Sequence, residues 1–175
     1  MGLLDFFKSL KKHKEQDIEL VGHSLENLNI GSVIELDGES WEVKSKGYYD
    51  YGDEKEWDYK IQSPTREGFL NKDDEGIYFF VRGDLNKLSI NLFDFLNTHD
   101  DLPSQISFDG KPYTLKFSGA AYYCVENKRT PVVIWDFEDN EGNILEILQW
   151  SDQDFEIFLG RPLQEWEIED VFSKK

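Results

Sequence analysis

The stretch IELDGESWEVKSKG, Ile34 to Gly47, returns without a gap as ISFDGKPYTLKFSG, Ile106 to Gly119, 72 residues further on. Ile, Asp-Gly, Lys and Gly recur at matching places, with Leu36 answered by Phe108, Trp41 by Tyr113 and Val43 by Leu115. Later blocks follow in the same order at a spacing of 78: Trp57-Asp58-Tyr59 meets Trp135-Asp136-Phe137, Leu70 meets Leu148, Asp74 meets Asp152, and IYFF from Ile77 meets FEIF from Phe155. Self-similarity at a nearly fixed spacing is the first clue to organisation. It predicts an internal duplication, with related β repeats at residues 28–83 and 102–161.

Each repeat carries the marks of antiparallel strands. Asp37-Gly38 and Asp109-Gly110 are two-residue hairpin signals, because both central residues of that turn need positive φ. SWEVKS, PYTLKF, VVIWDF and ILEILQW alternate or run apolar over strand lengths, and NKDDEG and EDNEG separate them as turns. The predicted fold is therefore mainly β, two antiparallel lobes forming barrel-like or sandwich-like units, with short helices. Residues 84–101 form the linker, read as a strand in KLSINLF and a short helix over Phe93 to Thr98. The C-terminal segment, 162–175, reads two ways: Pro162 suits a first helical turn, while WEIEDVF suits an edge strand.

Residues 1–14 differ from the rest. On a helix, Leu3, Leu4, Phe6, Phe7 and Leu10 share one face, Asp5, Lys8, Ser9 and Lys12 lie opposite, and Lys11 sits at the boundary, where its stem can follow apolar surface. This is an amphipathic basic helix, too short to span a bilayer. Two readings compete. The helix lies on an anionic membrane surface with its Leu and Phe side chains inserted and Lys8, Lys11 and Lys12 on lipid phosphates, or it packs on protein. Phe6 stands where a myristoylation signal needs Ser or Thr.

The formal net charge of −17 narrows the partners. Four lysines against one aspartate make residues 1–14 net +3, so the rest of the chain carries −20. So acidic a body repels phosphates, which excludes nucleic acid as a partner. The single cysteine, Cys124, cannot form an internal disulfide and fits a reducing compartment, hence a cytoplasmic protein, peripheral at the inner membrane face if the first helix docks there. His13, His23 and His99 are scattered, so neither a metal nor another cofactor is expected. DFEDNEGNILE is not a calcium loop, since Gly142 at its glycine position would put Phe137 at the first ligand position.

The most unusual stretch is YYDYGDEKEWDYK, Tyr48 to Lys60, where five aromatic residues mix with five carboxylates. One reading is a hairpin stabilised by cross-strand aromatic pairs, with Tyr49 and Tyr51 on one face and Tyr48 and Asp50 on the other. The other is a site for a cation: Tyr49, Tyr51 and Trp57 as aromatic faces, ringed by Asp53, Glu54 and Glu56. A polyamine or a basic protein surface would fit it. Carboxylate catalysis, through Asp136 with Glu138 or Glu146, has no supporting pattern beyond acids in an acidic chain.

Several of these positions, taken together, carry a resemblance. Gly31 and Val33, Trp41 and Val43, Trp57, Asp109-Gly110 with Tyr113, Gly119 with Ala121, and Trp150 with Gly160 resemble the pattern of the uncharacterised bacterial domain-of-unknown-function 4178 family over roughly residues 28–170. The chain departs from it in having WDY for Trp-Glu-Tyr and Gln149 where an acid commonly precedes the Trp. The family has no established activity. The resemblance implies an accessory protein encoded beside membrane-stress proteins of the phage-shock protein A kind, flotillin-like proteins, small membrane proteins and polyamine-synthesis enzymes. The expected function is that of a non-enzymatic accessory protein at the cytoplasmic membrane surface, offering an acidic β surface to a basic protein partner. The alternative is an acidic immunity or inhibitor protein that blocks a basic toxin or enzyme site.

Overall fold

The computed structural model describes residues 18–20, 25 and 28–174. The amphipathic helix expected over residues 1–14 lies outside them. Among the described residues twelve strands form a single antiparallel sheet: β1 (Ile18–Leu20), β2 (Val33–Leu36), β3 (Glu39–Asp50), β4 (Lys55–Gln62), β5 (Glu67–Lys72), β6 (Ile77–Arg82), β7 (Gln105–Phe108), β8 (Lys111–Val125), β9 (Lys128–Glu138), β10 (Ile144–Ser151), β11 (Asp154–Leu163) and β12 (Ile168–Lys174). Their order is β1-β12-β2-β3-β4-β5-β6-β11-β10-β9-β8-β7. The order from β2 to β6 is mirrored from β7 to β11 about the β6–β11 pair. The two repeat segments thus share one sheet instead of standing as separate lobes.

A further pairing closes that sheet. Gly47 to Asp50 at the end of β3 run antiparallel to Tyr122 to Val125 at the end of β8. Strands β3, β4, β5, β6, β11, β10, β9 and β8 therefore make a ring of hydrogen-bonded neighbours, with β2 and β7 attached to the far halves of β3 and β8. Both Asp-Gly pairs turn as their chemistry requires. Asp37 and Gly38 have φ of 54° and 72°, and Asp109 and Gly110 have 51° and 79°.

One residue in each half decides which side chains face into the ring. In β3 the register against β4 shifts between Val43 and Ser45, so Lys44 is an extra residue. In β8 the register against β9 shifts between Leu115 and Phe117, at Lys116. A bulge reverses the alternation of faces along the bulged strand. Trp41 and Val43 accordingly face an outer core with Ile34, Tyr59, Ile61 and Phe79, and Tyr113 and Leu115 face a second with Phe137, Leu145 and Ile147. Beyond the bulges Tyr49 and Ala121 turn inward, to a third core with Phe80, Ile134, Leu148 and Phe158. Lys44 and Lys116 hold the same place in the two aligned stretches. The Trp57 and Trp135 blocks do not match in the sheet, since the register sets Ile61, opposite Val43, against Phe137, opposite Leu115.

The connections correct one expectation and decide between two readings of another segment. KLSINLF is not a strand: a 3-10 turn at Leu85–Lys87 is followed by a lone bridge from Leu88 to Phe108 and by α1, Leu92–Leu96, whose N-cap Asn91 accepts from the Asp94 N–H at 3.0 Å. The leucines needed for the second core, Leu88 and Leu92, set this path. At the C-terminus Pro162 starts no helix but continues β11 opposite Tyr78, and a 3-10 turn at Glu165–Glu167 leads into β12, which pairs with β2. Pairing with β12, which in turn pairs with β1, covers the open edge of β2.

Gly160 on β11 shows how tightly the ring closes. A Cβ there would sit 2.3 Å from the Phe80 ring, with no room for the ring to stay. Gly160→Ala is expected to cost about 1–3 kcal/mol through overpacking, read as a lower denaturation midpoint. An unchanged midpoint would show that the ring repacks freely.

Candidate functional site

The inner wall of the ring is aromatic, yet it also holds carboxylates, Glu56, Asp58, Asp136 and Glu146 among them. Glu56 and Asp58 on β4 face inward because they stand opposite Tyr49 and Gly47 after the Lys44 bulge. Asp136 on β9 stands opposite Phe117, and Glu146 on β10 stands between Asp136 and Phe158. β4 and β10 lie four strands apart in either direction round the ring, so Asp58 and Glu146 approach from opposite walls.

The four acids differ in their partners. Asp58 accepts the Tyr123 hydroxyl at 2.7 Å, and Glu56 accepts Asn71 Nδ2 at 2.7 Å and the Tyr51 hydroxyl at 3.2 Å. Gly47 makes the first of these bonds feasible, since a Cβ at that position would lie 2.8 Å from the Tyr123 hydroxyl. Glu146 is only 6% exposed and receives no hydrogen bond and no ion pair from the described residues. Asp136 Oδ1 and Asn71 Oδ1 are buried without a donor. Buried polar atoms are nearly always satisfied, so these acceptors call for an explanation.

Asn71 and Glu146, though not Asp136, line an open-sided cavity of about 100 Å³. Tyr49, Phe69, Phe80, Leu148 and Phe158 supply apolar wall, and Asp58, Asn71, Tyr123 and Glu146 supply its polar points. Arg82, exposed, marks one side; its guanidinium lies 5.1 Å from the Phe158 ring centre and pairs with Glu156, which also accepts Trp150 Nε1 at 2.8 Å. The one cation among the cavity's lining residues is thus already matched to a carboxylate.

Burial governs the proton affinity of these acids, since an ion leaving water without full compensation loses several kcal/mol. Burial pushes the Asp58 carboxyl up to about 7, against the lowering effect of the Tyr123 hydrogen bond. Burial, with the charges of Glu56 and Asp73, takes Asp136 to about 7 as well. Glu146 is raised well above the carboxylate range by burial and then by Asp136, Glu56 and Asp58. Glu56 is also raised by burial, though Asn71 and Tyr51 oppose the shift. Asp139, in the EDNEG turn, shows the contrary outcome. Burial alone would raise it, but Lys111 Nζ at 2.6 Å, the Asn143 side chain and the N–H groups of Glu141 and Asn143 hold it well below its ordinary value. Asp139 has a lysine and several N–H donors; in the ring Asp58 and Glu56 have only neutral donors, and Glu146 has none from the described residues.

The cation site expected from YYDYGDEKEWDYK is divided by the fold. Tyr49, Tyr51 and Glu56 are brought together inside the ring, where Tyr49 lines the cavity. Trp57 is on the outer face beside Tyr48, ring centres 5.3 Å apart, and Lys46 Nζ lies 5.0 Å from its ring centre. Asp53 and Glu54 are exposed in the turn between β3 and β4. Asp58, Asn71 and Tyr123 were missed, although Asp136 and Glu146 were picked out as acids. The paired lysines Lys44 and Lys116, each interrupting an alternating strand, were the available signal. Among the described residues no group of three or more His, Cys, Asp or Glu is placed to hold a metal ion.

The model of the family described as Domain of unknown function (DUF4178) matches residues 29–165. The chain belongs to this family. A protein of Aquifex aeolicus (strain VF5), described only as an uncharacterized protein, is 36% identical over 176 residues, covering 99% of this chain and 100% of that one. No solved structure matches. Several positions that carry the resemblance to DUF4178 shape the ring: Ala121 and Gly160 leave room on its inner wall, Trp150 lines the cavity, and Trp41, Val43 and Tyr113 fill the outer cores.

A raised carboxyl favours the fold while protonated. Asp58 and Asp136 contribute this stability in full below their unfolded values, near 4, and lose it as pH rises through about 7. The protein is therefore expected to unfold at a lower urea concentration at pH 8 than at pH 5.5, with Glu146→Gln reducing the difference. Equal midpoints at the two pH values would show that the ring interior is hydrated enough to keep these acids at ordinary values.

Proposed function

We propose that this DUF4178 protein is a non-catalytic binding protein that takes a basic group into the acidic interior of its strand ring. The observation that carries this reading is Glu146: a buried carboxylate facing a cavity, with no donor from the described residues. Asp136 Oδ1, beside Glu146 on β9, and Asn71 Oδ1 on β5 are further buried acceptors without a donor. The chemistry these groups lack is N–H donors and positive charge. A ligand supplying both would offset their desolvation, while the aromatic wall would favour a cation further, by about 2 kcal/mol where water is excluded.

The inward direction of these acids supports a receptive pocket over an inhibitor that inserts acids into a partner's basic site. The ring is also the kind of enclosure in which eight strands leave room for side chains or one small ligand. Its two halves, with mirrored strand order and matching bulges, fit the descent of the ring from a duplicated five-strand unit. The basic amphipathic segment over residues 1–14 supports placing the protein at an anionic membrane surface. Among the described residues no helix is long and apolar enough to cross a membrane. A polyamine, or a lysine-bearing partner protein, suits the acidic interior.

Calorimetric titration of the full chain at pH 8 with spermidine and putrescine tests the reading. Saturable binding is expected, weakened at least tenfold by Glu146→Gln. Gln is the neutral isostere of a protonated Glu, so this variant keeps the fold. Absence of any heat and of any thermal stabilisation by either amine would overturn the proposal.

A further inference from the structure

Past its bulge each long strand runs a different distance. β3 goes from Lys44 to Asp50, while β8 goes from Lys116 to Val125, three residues further. The shorter strand sets the length of the seam between them. Asp50 stands opposite Tyr122 at its end, and β3 then leaves through a turn in which the Tyr51 N–H bonds to the Glu54 carbonyl. At the other end of β8 the Leu115 N–H bonds to the Ser104 carbonyl at 2.9 Å, where the cover given by β7 and its approach stops. Lys116 to Ala121 lie between these points. They pair with β9 on one edge, and among the described residues no strand or backbone hydrogen bond meets the other. The first half is better covered, since Val43 bonds to both Gly31 and Ser32 and Lys46 Nζ reaches the Leu28 carbonyl. Pro103 stands 72 residues after Gly31 and has no N–H to give.

An unpaired edge is a template for another strand, and proteins blunt it with prolines, charges or bulges. Phe117 to Ala121 holds no proline and no charge, and the bulge at Lys116 stands at its end. A net charge of −17 opposes contact between copies in general, so a contact has to lie where acids are absent. Lys116 to Ala121 is such a place. Antiparallel pairing of two β8 strands about Ser118 would set Phe117 of each copy against Gly119 of the other, and Lys116 against Ala120. Phe117 is 40% exposed, and its ring already lies over its own Gly119, where a Cβ would come within 2.8 Å. A second glycine opposite would cover the ring without a clash. Lys116, which forms no ion pair with a described residue, would approach the partner's β3–β4 turn, where Asp53 and Glu54 are exposed. Each contact is made twice, so the interface is isologous and closes at two copies.

We infer that two copies of the chain join edge to edge through residues 116–121 of β8, antiparallel about Ser118, so that the sheets of the two rings continue into one another. This surface is separate from the cavity, which none of these residues lines. The inference therefore stands or falls independently of cation binding.

Sedimentation equilibrium of the full chain tests it. A dimer is expected, with Ser118→Lys, which sets like charges opposite each other across the two-fold, raising its dissociation constant at least tenfold. Lys116→Glu should weaken it as well. Both positions are exposed, so neither variant should move the unfolding midpoint. Directly opposed residues of an antiparallel pair stand about 4.5–5.5 Å apart at Cα, within reach of a disulfide. Ser118→Cys combined with Cys124→Ser should accordingly give a disulfide-linked dimer on treatment with diamide, and Thr130→Cys in the same background should not. A monomer at every concentration would overturn the pairing, as would a dimer that Ser118→Lys leaves intact or that Ser118→Cys fails to cross-link. Protection of the amides of residues 117–121 from hydrogen exchange in such a monomer would assign the edge to residues 1–17 of the same chain instead.

Discussion

The pairing of Gly47–Asp50 with Tyr122–Val125 is the constraint on which the molecule depends. Without it the twelve strands would form an open sheet, with the inner faces of β4, β5, β9 and β10 turned to water. The carboxylates there would then be ordinary surface acids. With it, those faces enclose an interior in which burial sets proton affinity and each donor has to come from another strand. The closure is short, and it is reinforced by a hydrogen bond across it: Tyr123, on β8, reaches past Gly47 to Asp58 on β4. The same glycine that admits this hydroxyl therefore links the closure of the ring to the chemistry of the site.

Closure would be of no use if the wrong side chains faced inward. The bulges at Lys44 and Lys116 let long strands serve two cores, the first part of each strand turning apolar residues to an outer core and the second part turning them to the ring. This explains why the outer cores hold few charges while the inner one is mixed. Each outer core is a conventional apolar filling supported by a short strand, β2 or β7, and by connecting segments. The inner core has no need to supply all the stability, which leaves it free to carry polar groups that disfavour the fold at neutral pH.

Much of this was legible in the residues and some of it was not. The Asp-Gly turns, the apolar alternation and the repeat announced antiparallel strands, because turn geometry and strand period are local properties. The resemblance to DUF4178 rested on short motifs, and the match over residues 29–165 bears it out. The joining of the repeats into one sheet was not legible, since strand partners far apart in sequence are chosen by long-range packing. The division of Tyr48 to Lys60 between two faces followed the simple alternation of a strand, but which face was inside depended on the Lys44 bulge. Trp57 and Tyr49 looked like partners because both are aromatic and near in sequence; their strand positions put them on opposite sides of the wall. Likewise KLSINLF alternates like a strand, yet Leu88 and Leu92 had a core to fill and took the chain into a turn and α1.

The contrast between Asp139 and Glu146 shows what separates a structural acid from a functional candidate in so acidic a chain. Both are buried, and burial alone would raise both. Asp139 collects a lysine and several N–H donors from its own turn, so its charge is settled by neighbours and nothing further is required of it. Glu146 sits mid-strand, where the backbone donors are already committed to β9 and β11 and where the cross-strand neighbour is another acid. A strand cannot supply side-chain donors to its own inward-facing acid except from the opposite wall, and here the opposite wall presents Asp58 and Asn71 Oδ1, which are acceptors too. Sequence counts of carboxylates treat the two residues alike. The geometry of donors distinguishes them, and it makes the interior of the ring, rather than the outer acidic surface, the place where a positively charged group has most to gain.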